Sequence, residues 1–273
     1  MTWGLAHRSQ GSRQFTSNND HLTNHQLWSY TYIVTDYSTR TRNLSDRKAR
    51  AERILDAAAE LLLRWGYKRV TIDDVAERAS VGKGTIYLHW KSREELFQAV
   101  LQRELVAALD ELLDAVRRDP EAALLHRMTR IIFLAIVHRP LLRALYTADR
   151  EVLGKLAKGD DKALEVQEEL AFNEYLRVLV EHGLVRTDIA TEELSYAYSA
   201  TVNGFILIES FITGRHQFEP KRKADLLATV IHRAFEVENL PPSATVQAIV
   251  PRVIELFTEI AEVNRAKLRR AYA

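Results

Sequence analysis

Between Thr71 and Lys91 the chain gathers side chains that donate hydrogen bonds. Thr71, Thr85 and Tyr87 offer neutral hydroxyls, Lys83 and Lys91 offer ammonium groups, and His89 offers an imidazole. Donors of this kind suit phosphate oxygens and the acceptor-rich edges of bases. Enzymatic chemistry is the competing class, and its motifs fail. Gly82-Lys83-Gly84-Thr85 lacks the contiguous G-K-[ST] and the upstream glycine of a phosphate loop. No H-E-x-x-H or G-x-S-x-G is present, and no histidine pair has metal-ligand spacing. His126, His138 and His182 therefore read as core-edge or surface residues, and Glu168 and Glu169 as a solvated face. No catalytic residue, metal or cofactor is expected.

Two short helices must position these donors. Thr71 caps the first, with Asp74 as its capping-box partner three residues on. Val75, Ala76 and Ala79 give that helix a small apolar face, as a close crossing requires. Ser80-Val81-Gly82 breaks it, with Val81 plugging the core and Gly82 and Gly84 lending backbone freedom. The second helix is expected over roughly 83–90, with Ile86 and Trp90 facing inward at a spacing of four. Lys83, Thr85, Tyr87, Leu88, His89 and Lys91 are left at or near the surface. Such a pair is a helix-turn-helix, whose second helix enters the major groove with its N-terminal residues nearest the bases.

These residues resemble the TetR-type transcriptional regulators. Thr71-Ile72-Asp73-Asp74-Val75-Ala76, Val81-Gly82-Lys83-Gly84-Thr85-Ile86-Tyr87, His89-Trp90-Lys91-Ser92 and Glu94-Glu95-Leu96-Phe97 stand in that family's order and spacing. The likeness extends back through Arg53-Ile54-Leu55-Asp56-Ala57-Ala58 and Gly66-Tyr67. Two positions depart: the family often has Gly where Ser80 stands and Ser where Gly82 stands. The resemblance implies a homodimeric DNA-binding regulator, a repressor released by a small-molecule inducer; a ligand-dependent activator or a co-repressed regulator is the alternative. It implies Thr71, Lys83, Gly84, Thr85, Tyr87, His89 and Lys91 as DNA-binding residues and leaves the effector's contacts unknown.

Charge distribution agrees with a nucleic-acid partner. The formal net charge is only +1, yet residues 44–100 carry eleven Lys and Arg against nine Asp and Glu. Residues 101–273 carry 23 against 26. The excess is small, so affinity must rest on placed contacts. The absence of cysteine excludes disulfides and thiolate chemistry and fits a reducing cytoplasm. No apolar run reaches membrane-spanning length, and no signal-peptide core follows Met1.

Along the chain, residues 1–43 are polar and aperiodic and read as a disordered tail, with Arg40 and Arg42 as a possible DNA-hugging arm. The DNA-binding domain spans 47–107, with its helix-turn-helix at about 70–90. Its first helix, 46–65, carries the apolar stripe Ile54, Ala58, Leu61, Leu62 and Trp65 and ends at Gly66. Ser92 and Glu95 form a second capping box, opening a helix that runs to about Val116 before Asp119-Pro120.

Residues 108–273 read as an all-helical regulatory and dimerisation domain, so the fold class is all-α. Helices are expected over 121–138, 140–147, 162–182, 191–213, 223–238 and 243–272, the last interrupted or restarted at Pro251. Ala200, Asn203, Gly204, Leu207, Ile208 and Phe211 form one candidate dimer face. Leu226, Leu227, Val230, Ile231, Ala234 and Phe235 form the other. By resemblance an effector pocket lies within 121–213, where Met128, Phe133, Tyr146, Phe172, Tyr175, Asn203, Phe205 and Glu209 are possible lining. Val246, Ile249, Val253, Leu256, Ile260 and Val263 make a seam that must pack on something, an intramolecular surface in preference to a coiled coil.

Overall fold

The computed structural model describes residues 24–158, 162–208, 218–239 and 242–272. The chain divides into two units, Met1–Asp46 and Arg47–Ala273. The first helix, α1, runs Asn24–Trp65 and not from residue 46. From 24 to 43 the chain is thus helical where a tail was expected. No glycine or proline stands between Gly11 and Gly66 to stop a helix there. Residues 1–23 lie outside the described residues, as do the side chains of Arg40 and Arg42.

The remaining helices of the second unit are α2 (Ile72–Arg78), α3 (Lys83–Tyr87), α4 (Arg93–Arg118), α5 (Leu125–Val137) and α6 (Pro140–Tyr146). They continue as α7 (Arg150–Leu153), α8 (Lys162–Glu181), α9 (Thr191–Leu207), α10 (Pro220–Phe235) and α11 (Ser243–Tyr272). The fold is all-α, and a lone backbone bridge joins Val185 to Glu236 among the described residues. Where one helix was expected from 121, Pro120–Ala123 forms a 3-10 turn before α5. Helix α11 passes through Pro251, whose ring faces solvent, without the expected break.

Two cores organise this unit. The first gathers Ile54, Leu55, Ala58 and Leu62 of α1, Val75 of α2, Ile86 of α3, Trp90, and Leu96, Phe97 and Val100 of α4. Each fully buried Leu, Ile or Phe contributes about 1.5–3 kcal/mol by leaving water. Trp65, expected inside, is 38% exposed and lies beside Arg64. The second core gathers Leu112, Leu113 and Val116 of α4 with residues of α5, α8, α9, α10 and α11. Helix α4 therefore belongs to both.

A second link joins the cores. Leu141, Ala144, Leu153 and Leu156 are buried with the first core although they lie in α6, α7 and the turn that follows. The Tyr67 amide donates to the Val152 carbonyl at 2.7 Å. Gly66 ends α1 at φ +72°, and a Cβ there would sit 2.4 Å from the Glu151 carbonyl oxygen. Only glycine meets both demands.

The seam of α11 is buried at Val246, Ile249, Val253, Leu256 and Ile260, and Val263 is half-buried. This helix packs on α4 and α8 within the same chain.

Candidate nucleic-acid interface and effector cavity

The N-terminus of α2 is built as its sequence implies. Thr71 Oγ1 accepts from the Asp74 amide at 3.2 Å, while Asp74 Oδ2 accepts from both the Thr71 amide and the Thr71 hydroxyl at 2.7 Å. Those two bonds hold the Asp74 carboxyl below the usual carboxylate range.

The turn after α2 differs from expectation. The Ser80 amide donates to the Glu77 carbonyl and the Val81 amide to the Ala76 carbonyl, at 3.1 and 2.9 Å. These are the two bonds of a Schellman motif. Its left-handed position is Ser80, at φ +54°, and not Gly82 or Gly84. Gly82 has an ordinary extended backbone and caps α3 without a side-chain bond. Ser80 thus carries strain that a glycine would not.

Helix α3 ends at Tyr87, so it is shorter than the 83–90 expected. Ile86 and Trp90 are both buried, and Trp90 reaches the core from the turn beyond the helix. Lys83, Gly84, Tyr87 and Lys91 are exposed, as is Thr71, whereas Thr85 and His89 are half-buried. A Cβ at Gly84 would meet nothing within 4 Å. Leu88, noted only as near the surface, is 71% exposed. The Lys83 ammonium is paired with Asp73 at 2.9 Å, a hydrogen bond that holds the lysine above its usual value. His89 packs against Trp90 with ring centroids 5.2 Å apart.

Three further contacts hold this surface in place. Arg47 donates to the Leu88 carbonyl at 3.4 Å, tying α1 to the end of α3. Arg93 donates to the carbonyls of Tyr67 and Val70 and lies 4.1 Å over the Tyr67 ring. Ser92 accepts from the Glu95 amide, but Glu95 accepts from the Lys91 amide at 2.8 Å, so the second capping box closes one residue early.

The second core borders a partly open cavity of about 240 Å³. Its walls are Leu105, Ala108, Leu109 and Leu112 of α4, Ile132, Ala135 and Ile136 of α5, and Leu142 and Tyr146 of α6. Phe172 of α8, Tyr198, Ser199, Val202 and Asn203 of α9, and Phe257 and Ile260 of α11 complete them. Tyr146, Phe172 and Asn203 were expected there. Met128, Phe133 and Tyr175 are instead solid core, Phe205 packs beside that core, and Glu209 lies outside the described residues. The walls from α4 and α11 escaped sequence reading, because an apolar stripe facing a cavity looks like one facing a neighbour. Tyr198 shares a hydrogen bond of 2.9 Å with Thr129, and burial pushes its phenol up to about 12. No lining side chain is a Lys, Arg, His, Asp or Glu.

A compact head with a helix-turn-helix, packed on a larger helical body, is the architecture of a helix-turn-helix transcriptional regulator. The family described as bacterial regulatory proteins, tetR family, matches residues 54–100. The chain is 32% identical to the HTH-type transcriptional regulator TtgW of Pseudomonas putida over 101 residues, 36% of this chain and 71% of that protein. It is 24% identical to the transcriptional repressor BepR of Brucella suis over 199 residues, 70% of this chain and 94% of that protein. The crystal structure of NalD from Pseudomonas aeruginosa, described as a secondary repressor of a multidrug efflux pump, aligns with a TM-score of 0.50 at 19% identity. That alignment covers 71% of this chain and all of NalD. Three other curated relatives, matched at 38–43% identity, align over only 28–36% of their own length. The chain belongs to the TetR family.

Proposed function

We propose that this chain is a homodimeric transcriptional repressor that binds a near-palindromic operator through α3 and is released by a small, neutral, mostly apolar inducer. One arrangement carries the reading. Helix α3 and the turn after it present Lys83, Tyr87 and Leu88 outward beside the capped start of α2, and the helix that leads away from this head also walls the cavity.

In this reading Lys83 and Thr85 reach base edges, with His89 at the margin of the groove. Leu88 offers an apolar contact for a thymine methyl. Tyr87, Lys91 and Thr71 hold phosphates, and bare Gly84 lets the backbone approach. Dimerisation is supported by α9, where Tyr196, Ala200, Gly204, Leu207 and Ile208 are exposed along one side. Of α10, Val230 is exposed, while Leu227, Ile231 and Phe235 are consumed by the chain's own core. Two heads related by a two-fold axis meet successive major grooves about 34–36 Å apart. Repression is the polarity printed for BepR and NalD. The protein acts on DNA in the cytoplasm; among the described residues no helix is long and apolar enough to cross a membrane.

Selection of bound sequences from random duplexes by the purified chain tests this. A near-palindrome with half-sites about one helical turn apart is expected. Recovery of sequences with no shared motif overturns operator recognition.

A further inference from the structure

The Glu236 carboxylate is buried at the end of α10, with its side chain 1% exposed. Its Oε1 accepts from the His126 amide at 3.0 Å. Its Oε2 accepts from the imidazoles of His126, at 2.7 Å, and His232, at 2.5 Å. The two rings lie 4.9 Å apart, centroid to centroid. His232 and Glu236 share one face of α10 at a spacing of four, while His126 comes from the start of α5. The Val185 bridge fixes the backbone at Glu236. Nearby arginines are engaged elsewhere: Arg130 with Asp225 and Arg186 with Asp188.

We infer that His126, His232 and Glu236 form a binding site for a divalent first-row transition metal, with zinc as its simplest occupant. One potential ligand atom from each residue lies within 4.8 Å of the others. Two imidazoles and one carboxylate are the ligand set of open zinc sites, which complete their coordination with water. His126 and His232 remain 22% and 40% exposed, so the fourth position opens to solvent. Zinc–ligand distances near 2.0–2.1 Å require ligand atoms roughly 3.3 Å apart in a tetrahedron. Small rotations of the two rings bring the present hydrogen-bonded arrangement to that spacing. The metal then replaces the imidazole protons and supplies the positive charge that a buried carboxylate needs. It also staples the start of α5 to the end of α10.

Metal binding is read directly, independent of any DNA. The untagged full chain is dialysed against zinc, and separately against cobalt(II), then analysed for bound metal and for visible absorption. One metal per chain is expected, with cobalt bands of a four- or five-coordinate site. His126→Ala and His232→Ala should each weaken zinc by more than the roughly 10–100-fold that losing an outer-shell partner costs, whereas His182→Ala should leave it unchanged. Glu236→Gln keeps the shape of the site and should fold, yet its melting temperature should no longer rise with zinc. Failure to retain zinc at micromolar concentration, or retention unchanged in His232→Ala, overturns the assignment and leaves a purely hydrogen-bonded cluster.

Discussion

In the free protein Lys83 does not point idle into solvent; it is held by Asp73, in the first turn of the preceding helix, at 2.9 Å. Both groups are half or more exposed, so the pair adds little to stability. Its consequence is for binding, because a base edge must compete with the carboxylate for the same ammonium. Lys83→Ala should weaken the selected operator roughly ten- to hundredfold and relax selectivity at one base pair per half-site. Asp73→Asn should do the reverse, tightening operator and non-operator duplexes alike by removing both the competitor and a negative charge near phosphate. Fluorescence anisotropy with the two duplexes separates these outcomes; an unchanged isotherm for Lys83→Ala removes the lysine from the groove.

Gly84 gives a test in which fold and binding move in opposite directions. It stands inside α3, where glycine costs about 1 kcal/mol relative to alanine. The space around its missing Cβ is open. Gly84→Ala should therefore raise the melting temperature while weakening operator binding, because in the proposed docking the added methyl faces the DNA. Stabilisation with no loss of affinity would mean that the α3 backbone stays away from the groove floor.

Ser80 and Gly66 sit at similar positive φ angles and should respond differently. Ser80→Gly relieves left-handed strain in an exposed turn and should stabilise the chain by up to ~1 kcal/mol. Gly66→Ala adds a methyl against the Glu151 carbonyl as well as strain, and should cost at least ~2 kcal/mol. Urea denaturation of both variants gives the two signs directly.

Legibility in the sequence followed the range of the interactions. The Thr71–Asp74 box spans three residues, so its residue types announce it. The seam of α11 was readable as a buried face, but a period says nothing of the partner, which proved to be α4 and α8. Trp90 is buried, as its spacing of four from Ile86 predicts, although the helix meant to carry it stops three residues earlier. Gly82 and Gly84 offer backbone freedom that this turn does not use, whereas the left-handed conformation falls on Ser80 because of where α2 ends. The His126–Glu236 contact joins positions 110 apart, and no local pattern encodes that. Its one local trace is the four-residue spacing of His232 and Glu236.

Self-association should depend on the open side of α9. Gly204 meets nothing within 4 Å where a Cβ would stand, so Gly204→Trp should leave the monomer's melting behaviour nearly unchanged. On a two-fold axis the same change is present twice and faces its copy. Light scattering should then show a dimer for the natural chain and a shift toward monomer for the variant. A monomer for the natural chain at micromolar concentration excludes the dimer.

Release of the operator should obey linkage through two routes. A ligand in the cavity pushes on α4 at Leu105, Ala108, Leu109 and Leu112, and α4 carries Leu96, Phe97 and Val100 in the head core. It also pushes on Leu142 and Tyr146 of α6, a helix that contacts α7, and α7 accepts the Tyr67 amide through Val152. A ligand acts only to the extent that it prefers the arrangement unable to bind DNA. A tenfold loss of operator affinity therefore needs about 1.4 kcal/mol of preference. Reciprocity then fixes the converse: saturating operator must weaken that ligand tenfold. Neutral apolar compounds can be screened by thermal shift, and the strongest binder titrated by calorimetry with and without operator. Leu109→Trp, which fills the cavity from the α4 side, should abolish ligand binding while operator binding persists. Equal ligand affinities in the two titrations would show that the cavity and the head are uncoupled.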